Sequence, residues 1–67
     1  MRLKTIREAQ GLSQKELADK VGLTDKAISA YEREKRMPNL RVVKKIAKVL
    51  DCKVDDLLKD DDDEEVM

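Results

Sequence analysis

Side chains capable of covalent or metal chemistry are scarce in this sequence. Its 67 residues include one cysteine, Cys52, and no histidine. A disulfide needs two cysteines, and a structural zinc site usually needs about four Cys or His ligands. Carboxylates are numerous, but so short a chain lacks the walls of a deep catalytic pocket. We therefore expect no enzyme, metal, cofactor or small-molecule ligand, and we interpret Cys52 as a buried apolar residue.

Charged side chains make up 45% of the sequence and are unevenly distributed. All fifteen Lys and Arg fall within residues 1–59 together with nine acids, so this part has a formal charge of +6. Residues 60–65 are all acidic and contribute −6. A basic body with an acidic tail is typical of a polyanion binder, although a solvated surface explains the charge equally well.

The composition divides the chain into a domain of residues 1–59 and an acidic tail of residues 60–67. The tail is too acidic to pack, and we expect it to be disordered. It either increases solubility or folds back on the basic face and competes with phosphates. Because the chain shows no apolar leader and no run near the roughly 18 residues of a membrane span, we expect a cytoplasmic protein without membrane contact.

Apolar residues recur at helical spacing in five segments, which predicts an all-α domain of five helices. Gly11 and Gly22 are expected to end the first two helices, and Pro38 marks a loop before the fourth. The first four predicted helices cover about residues 1–10, 13–21, 24–33 and 40–50, and a short fifth helix carries Leu57 and Leu58. Predicted N-caps, whose side chains accept from a free backbone N–H at a helix start, are Ser13 (in a capping box with Glu16), Thr24, Asn39 and Asp55.

The spacing also predicts which residues face the interior of this domain. Tyr31, the one aromatic residue, is interpreted as a core residue rather than a platform for stacking. The inward-facing set is Leu3, Ile6, Ala9, Leu17, Ala18, Val21, Ala27, Ile28, Tyr31, Leu40, Val43, Ile46, Ala47, Leu50, Leu57 and Leu58.

The second and third segments are separated by Gly22 and Leu23, so two helices must meet there at a steep angle. Ala18 is small enough for a close helix crossing, and Gly22 suits the turn. This is the pattern of a helix-turn-helix. A chance pair of amphipathic helices supplies the apolar spacing, but rarely Gln14, Ala18, Gly22 and Ile28 in register with a capping box.

With these residues the chain resembles the lambda-repressor-like family, the Cro/cI or XRE-type transcriptional regulators. The likeness covers about residues 3–58, nearly everything except the acidic tail. The matching stretches are GLSQKELA at 11–18, ISAYE at 28–32, KRMP at 35–38, KIA at 45–47 and VDDLL at 54–58.

The resemblance implies a sequence-specific regulator, expected to be a repressor, that binds double-stranded operator DNA with its third helix in the major groove. A weak homodimer is expected through the fourth and fifth helices, with Val54, Leu57 and Leu58 as candidate contacts. The implied base contacts are Asp25, Lys26, Ser29 and Ala30. The implied phosphate contacts are Gln14, Lys15, Arg33, Lys35, Arg36 and Asn39.

The resemblance further implies a buried ion pair between Arg7 and Glu32, which joins the first and third helices. Two positions depart from the family pattern. Glu34 stands where relatives often carry a glycine with positive φ, so it either strains or alters the turn that carries the next two residues. Asp25 stands where a neutral or basic residue is common.

A second interpretation of the same sequence belongs to a different functional class. Small domains of this kind also serve as protein-interaction modules, such as antitoxins or partners of larger regulators, and the acidic tail is then the candidate contact. In that case, binding to duplex DNA would be weak and indifferent to sequence.

Overall fold

The computed structural model describes residues 1–59, which form five α-helices. They are α1 (Leu3–Ala9), α2 (Gln14–Val21), α3 (Asp25–Glu32), α4 (Leu40–Val49) and α5 (Val54–Leu58). The all-α prediction is confirmed. The predicted disordered tail of residues 60–67 lies outside the described residues. No helix within residues 1–59 is long and apolar enough to cross a membrane.

Three of the four predicted N-caps form as expected. The Ser13 hydroxyl accepts from the Glu16 N–H at 3.0 Å, and the Glu16 carboxylate accepts from the Ser13 N–H at 2.8 Å, which completes the capping box. Thr24 and Asn39 cap α3 and α4. The cap predicted at Asp55 is wrong: α5 starts at Val54, Lys53 holds the N-cap position, and Asp55 lies in the first turn. There its carboxylate interacts favourably with the helix dipole.

Four residues with left-handed backbone conformation follow helix ends. Gly11 and Gly22 have φ of 73° and follow α1 and α2. Glu34 and Asp51 have φ of 57° and 55° and follow α3 and α4. A side chain in this conformation crowds its own backbone, so the two acids hold turns that glycine would make with less strain.

The core lies where α1, α2, α3, α4 and α5 converge, and most predicted interior residues are in it. Those that are 0% exposed are Leu3, Leu17, Ile28, Ile46, Leu50 and Leu57. Tyr31 is buried as predicted. Cys52 is half-buried and packs against the core, and burial followed by the nearby carboxylates of Asp56 and Asp51 raises the pKa of its thiol.

Three predicted interior residues are exposed instead. Ala9 lies six residues from Leu3, about 120° away around the helix, so it leaves the buried stripe. Leu40, 60% exposed, begins α4 beyond the region that the other helices cover. Leu58, 44% exposed, ends α5, where Leu57 occupies the inward position.

Two hydrogen bonds join parts of the domain that are far apart in sequence. The Arg2 N–H donates to the Leu57 carbonyl at 2.9 Å, which links the start of α1 to α5. The side-chain amide of Gln10 donates to the Leu50 carbonyl at the end of α4. α5 is therefore held between α1 and α4, against both of which it packs.

The left-handed turn at Glu34 gives a stability prediction. Glu34→Gly removes a strain of about 1–2 kcal/mol and adds chain entropy to the unfolded state, so we expect a net gain of about 0.5–1 kcal/mol. Asp51→Gly, at a matched turn after α4, should give a similar gain in urea unfolding. A loss of stability in both variants would contradict the assignment of strain.

The capping box predicts a dependence of stability on pH. Hydrogen bonds from the Ser13 N–H and hydroxyl hold the pKa of Glu16 below its usual value of 4.5. The stabilisation is therefore present above pH 4.5 and is lost as the pH falls through the lower pKa of the folded state. We expect the difference in unfolding free energy between wild type and Glu16→Gln, measured by urea denaturation, to shrink on acidification. A difference that stays constant as the pH falls would contradict this role of the capping box.

Candidate nucleic-acid interface

The orientation of α3 is fixed by its packing on α2. Gly22, Leu23 and Thr24 join the two helices, which make the most extensive helix contact within residues 1–59. The Leu23 N–H donates to the Ala18 carbonyl at 2.8 Å, so the turn closes directly on α2. Ala18 and Ile28 are buried at the crossing. This is the helix-turn-helix that the sequence predicts.

The outward face of α3 lines a shallow hollow of about 250 Å³. Its residues recur at i, i+3, i+4 and i+7, so they form one stripe along the helix, and the following turn adds one more. Ser29 and Ala30 are half-buried, whereas the cationic residues beside them are exposed. The hollow has small side chains at its centre and cationic side chains around them, an arrangement that suits an anionic ligand. The lining residues are Lys26, Ser29, Ala30, Arg33 and Lys35.

Of the four predicted base contacts, Asp25 alone does not line the hollow; it is exposed. It lies in the first turn of α3, directly after the Thr24 cap. A carboxylate in this position is favoured by the helix dipole, which gives Asp25 a structural role. Its contact with a base stays a prediction.

The start of α2 presents the predicted Gln14 and Lys15. Lys15 is exposed, and Gln14 is half-buried because its side-chain amide donates to a Glu32 carboxylate oxygen at 2.9 Å. The capping box occupies the Ser13 and Glu16 N–H groups. Within residues 1–59 no acceptor engages the backbone N–H of Gln14 or Lys15. A helix start with free N–H groups is a suitable place for an anion such as phosphate.

The turn after α3 presents the remaining predicted phosphate contacts. Glu34 adopts the left-handed conformation that the resemblance predicts at this position, and the Lys35 N–H donates to the Ala30 carbonyl at 2.9 Å. This closes the turn and leaves Arg33, Lys35 and Arg36 exposed on it. The Glu34 carboxylate also lies 3.3 Å from the Met1 ammonium group. The turn after α3 is therefore formed with a left-handed Glu34.

Asn39 combines two properties that are relevant to a phosphate contact. Its Oδ1 accepts from the Val42 N–H at 2.9 Å and caps α4. The Nδ2 group of the same amide is a donor, and the residue is exposed. The cap thus fixes the side chain at the start of α4 and leaves a donor for a ligand.

A hydrogen-bonded network behind this surface connects α1, α2 and α3. Arg7 Nε donates to Glu32 Oε2 at 2.6 Å and Nη2 to Oε1 at 3.2 Å, which makes a two-point pair. Arg7 Nη1 donates to the Leu12 carbonyl at 2.6 Å. The bond to Glu32, opposed by burial and assisted by charges of Glu32 and Glu8, raises the pKa of Arg7 and keeps it charged. The predicted ion pair is confirmed.

The part of Gln14 in this network was not predicted from the sequence. Glu32 was assigned to Arg7 alone and Gln14 to phosphate alone, yet one carboxylate accepts from both. Gln14 and Glu32 lie eighteen residues apart, and no short-range spacing indicates their contact. The network therefore fixes the side chain of Gln14 at the edge of the surface before any ligand is bound.

Comparisons with known proteins agree with this geometry. A family model for the helix-turn-helix matches residues 3–57. The chain is 40% identical over 63 residues to an uncharacterized HTH-type transcriptional regulator of Archaeoglobus fulgidus, covering 94% of this chain and 90% of that protein. It is 38% identical to the uncharacterized HTH-type transcriptional regulator MJ0272 of Methanocaldococcus jannaschii, covering 94% and 96%.

A solved structure gives the same result for the fold. The N-terminal DNA-binding domain of SinR from Bacillus subtilis superimposes with a TM-score of 0.80 at 34% identity, covering 91% of this chain and 90% of that domain. The fold and surface thus define a helix-turn-helix protein. The chain belongs to the helix-turn-helix family of the lambda-repressor-like, Cro/cI or XRE type.

The network behind the surface gives a prediction about stability. Arg7→Met leaves the buried Glu32 carboxylate without its counter-charge, so it should lower the free energy of unfolding by about 3–5 kcal/mol in urea denaturation. The double variant Arg7→Met/Glu32→Leu removes both charges and should recover a large part of that loss. Additive losses in the double variant would show that the two residues stabilise the fold independently.

Proposed function

We propose that this protein is a sequence-specific regulator of transcription, expected to be a repressor, that binds double-stranded DNA with α3 in the major groove. The observation that supports this most is the cation-lined hollow on the outward face of α3, in a chain of the helix-turn-helix family. The major groove admits an α-helix, and its base edges are distinguished by hydrogen bonds from such a face. Its role is binding rather than catalysis.

The hollow allows a division of roles among its residues. Lys26 donates to guanine O6 or N7, Ser29 hydrogen-bonds to a base edge, and Ala30 packs on a thymine methyl group. Asp25, outside the hollow, accepts from a cytosine amino group at the edge of the site. Because Ser29 and Ala30 have small side chains, the helix backbone approaches the groove closely at its centre.

Phosphates on either side of the groove are held from two places. The start of α2 supplies the N–H groups and side chains of Gln14 and Lys15, which resemble an anion site at a helix start. The turn before α4 supplies Arg33, Lys35, Arg36 and Asn39. Contacts of this kind fix the register of the protein on DNA without carrying sequence information.

Two copies of the protein are proposed to bind a near-palindromic operator, with half-sites about 34 Å apart. Leu57 is 0% exposed and belongs to the core, so it is not available for contact between copies. A weak dimer through α4 and α5 therefore depends on Leu58, which is 44% exposed, together with the half-buried Val54. Because its proposed target is double-stranded operator DNA, we place the protein in the cytoplasm.

Selection of bound sequences from a random duplex pool, at near-physiological salt, tests this function directly. Enrichment of a two-fold symmetric motif is the expected result, and it would give the operator as well. Enrichment of a single half-site would support DNA binding and reject the dimer. Folded protein that enriches no sequence would overturn the proposal in favour of a protein-interaction module.

Three variants then separate base contacts from phosphate contacts on the selected operator. Lys26→Gln should reduce the binding free energy for the operator by about 1–3 kcal/mol and relax specificity at one base pair. Arg33→Gln should weaken binding to all DNA sequences alike and reduce by about 1 the slope of log affinity against log salt concentration. Lys53→Gln, a cation before α5, is the matched control and should change neither. Equal effects of all three would indicate that binding depends on net charge alone.

A further inference from the structure

The outer face of α4 carries four cations and no acid. Arg41, Lys44, Lys45 and Lys48 are all exposed, and the opposite side of the helix is the buried stripe of Val43, Ile46 and Ala47. We call the four cations the α4 basic face. α4 packs mainly on α2 and α5, and none of its residues lines the hollow on α3. The α4 basic face is thus a second charged surface, distinct from the hollow on α3.

The cations of this face are close neighbours of one another. Arg41 and Lys45, and likewise Lys44 and Lys48, are four residues apart, and Arg41–Lys44 and Lys45–Lys48 are three apart. Like charges at these spacings destabilise a helix. Within residues 1–59 the carboxylate ion pairs involve Arg7 and the Met1 ammonium group, and no carboxylate lies within 4.0 Å of an α4 cation. Because no carboxylate of residues 1–59 offsets the repulsion among these four cations, binding of an anionic partner to this face is favourable.

We propose that the acidic residues 60–65 of the same chain bind the α4 basic face. These six consecutive acids follow Lys59 directly, and α5, which precedes them, packs against α4. The four cations extend over about 10 Å of the helix at 1.5 Å per residue. Six extended residues reach about 20 Å, enough to run along the whole face. The acids also offset the four positive charges.

This contact does not depend on the proposed DNA function. It assigns a partner to the α4 basic face and leaves Lys26, Arg33 and Lys35 of the α3 hollow uncovered. The competing site for the acids is that hollow. The helix that precedes the acids, α5, packs on α4 and α1 rather than on α3. Among residues 1–59 no carboxylate lies within 4.0 Å of the α4 cations, so these cations are available to the acids.

The first test compares two full-length proteins by amide NMR at low salt: wild type, and a variant with Asp60→Asn, Asp61→Asn, Asp62→Asn, Asp63→Asn, Glu64→Gln and Glu65→Gln. We expect the largest shift differences at amides 41–48, independent of protein concentration. Differences that vanish at about 1 M salt, where the Debye length is about 3 Å, would support an ionic contact. Differences centred on residues 26–35, at no amide of the domain, or only at high concentration would overturn the proposal.

A thermal melting cycle gives a second, independent readout. Neutralising the six acids should lower Tm by about 4 °C at low salt, since small domains shift by several degrees for a modest loss of stability. In a Lys44→Gln/Lys48→Gln background the same neutralisation should have little effect. A Lys20→Gln/Lys53→Gln background, which removes two cations outside α4, is the matched control and should retain the full loss. Equal losses in both backgrounds would reject the α4 basic face as the partner.

Discussion

The buried carboxylate of Glu32 is the constraint that organises this domain. It is fixed by two donors from Arg7 on α1 and one from Gln14 on α2, so three helices meet at a single acidic group. Arg7 also donates to the Leu12 carbonyl, which ties down the segment between α1 and α2. A buried charge is tolerable only with such complete pairing, and among the described residues no buried polar side-chain atom lacks a partner. The position of α3 is therefore set by hydrogen bonds as well as by apolar packing.

The same arrangement explains how so short a chain presents a rigid surface. The outward stripe of α3 has the buried Ile28 and Tyr31 directly behind it, and the left-handed turn at Glu34 holds the next cations in place. Side chains on a helix whose opposite face is locked in a core need little ordering when they bind. The buried core thus fixes the orientation of the outward face of α3. The charged side chains of the other helices lie outside that face.

Much of this structure was predictable from the sequence because its signals are local. Capping residues, glycine stops and helical spacing act over three or four residues, and they indicated all five helices and the turn between α2 and α3. The failures have equally physical causes. Leu40 and Leu58 satisfy the apolar pattern but lie at helix ends that nothing covers, which only the tertiary packing decides. The hydrogen bond between Gln14 and Glu32 joins residues that are far apart in sequence. The hollow on α3 includes Lys35 of the following turn but not Asp25, and the path of that turn is not evident from the sequence.

The hydrogen bond between the Arg2 N–H and the Leu57 carbonyl has a consequence for how the protein is made. Leu57 is 0% exposed and fills the interior beside Leu3, so the first helix has no complete packing partner until the last one exists. During synthesis the earlier helices leave the ribosome with an open apolar side, and the core closes only when α5 has emerged. A stalled or shortened nascent chain that stops before Leu57 therefore exposes the interior to proteases and chaperones.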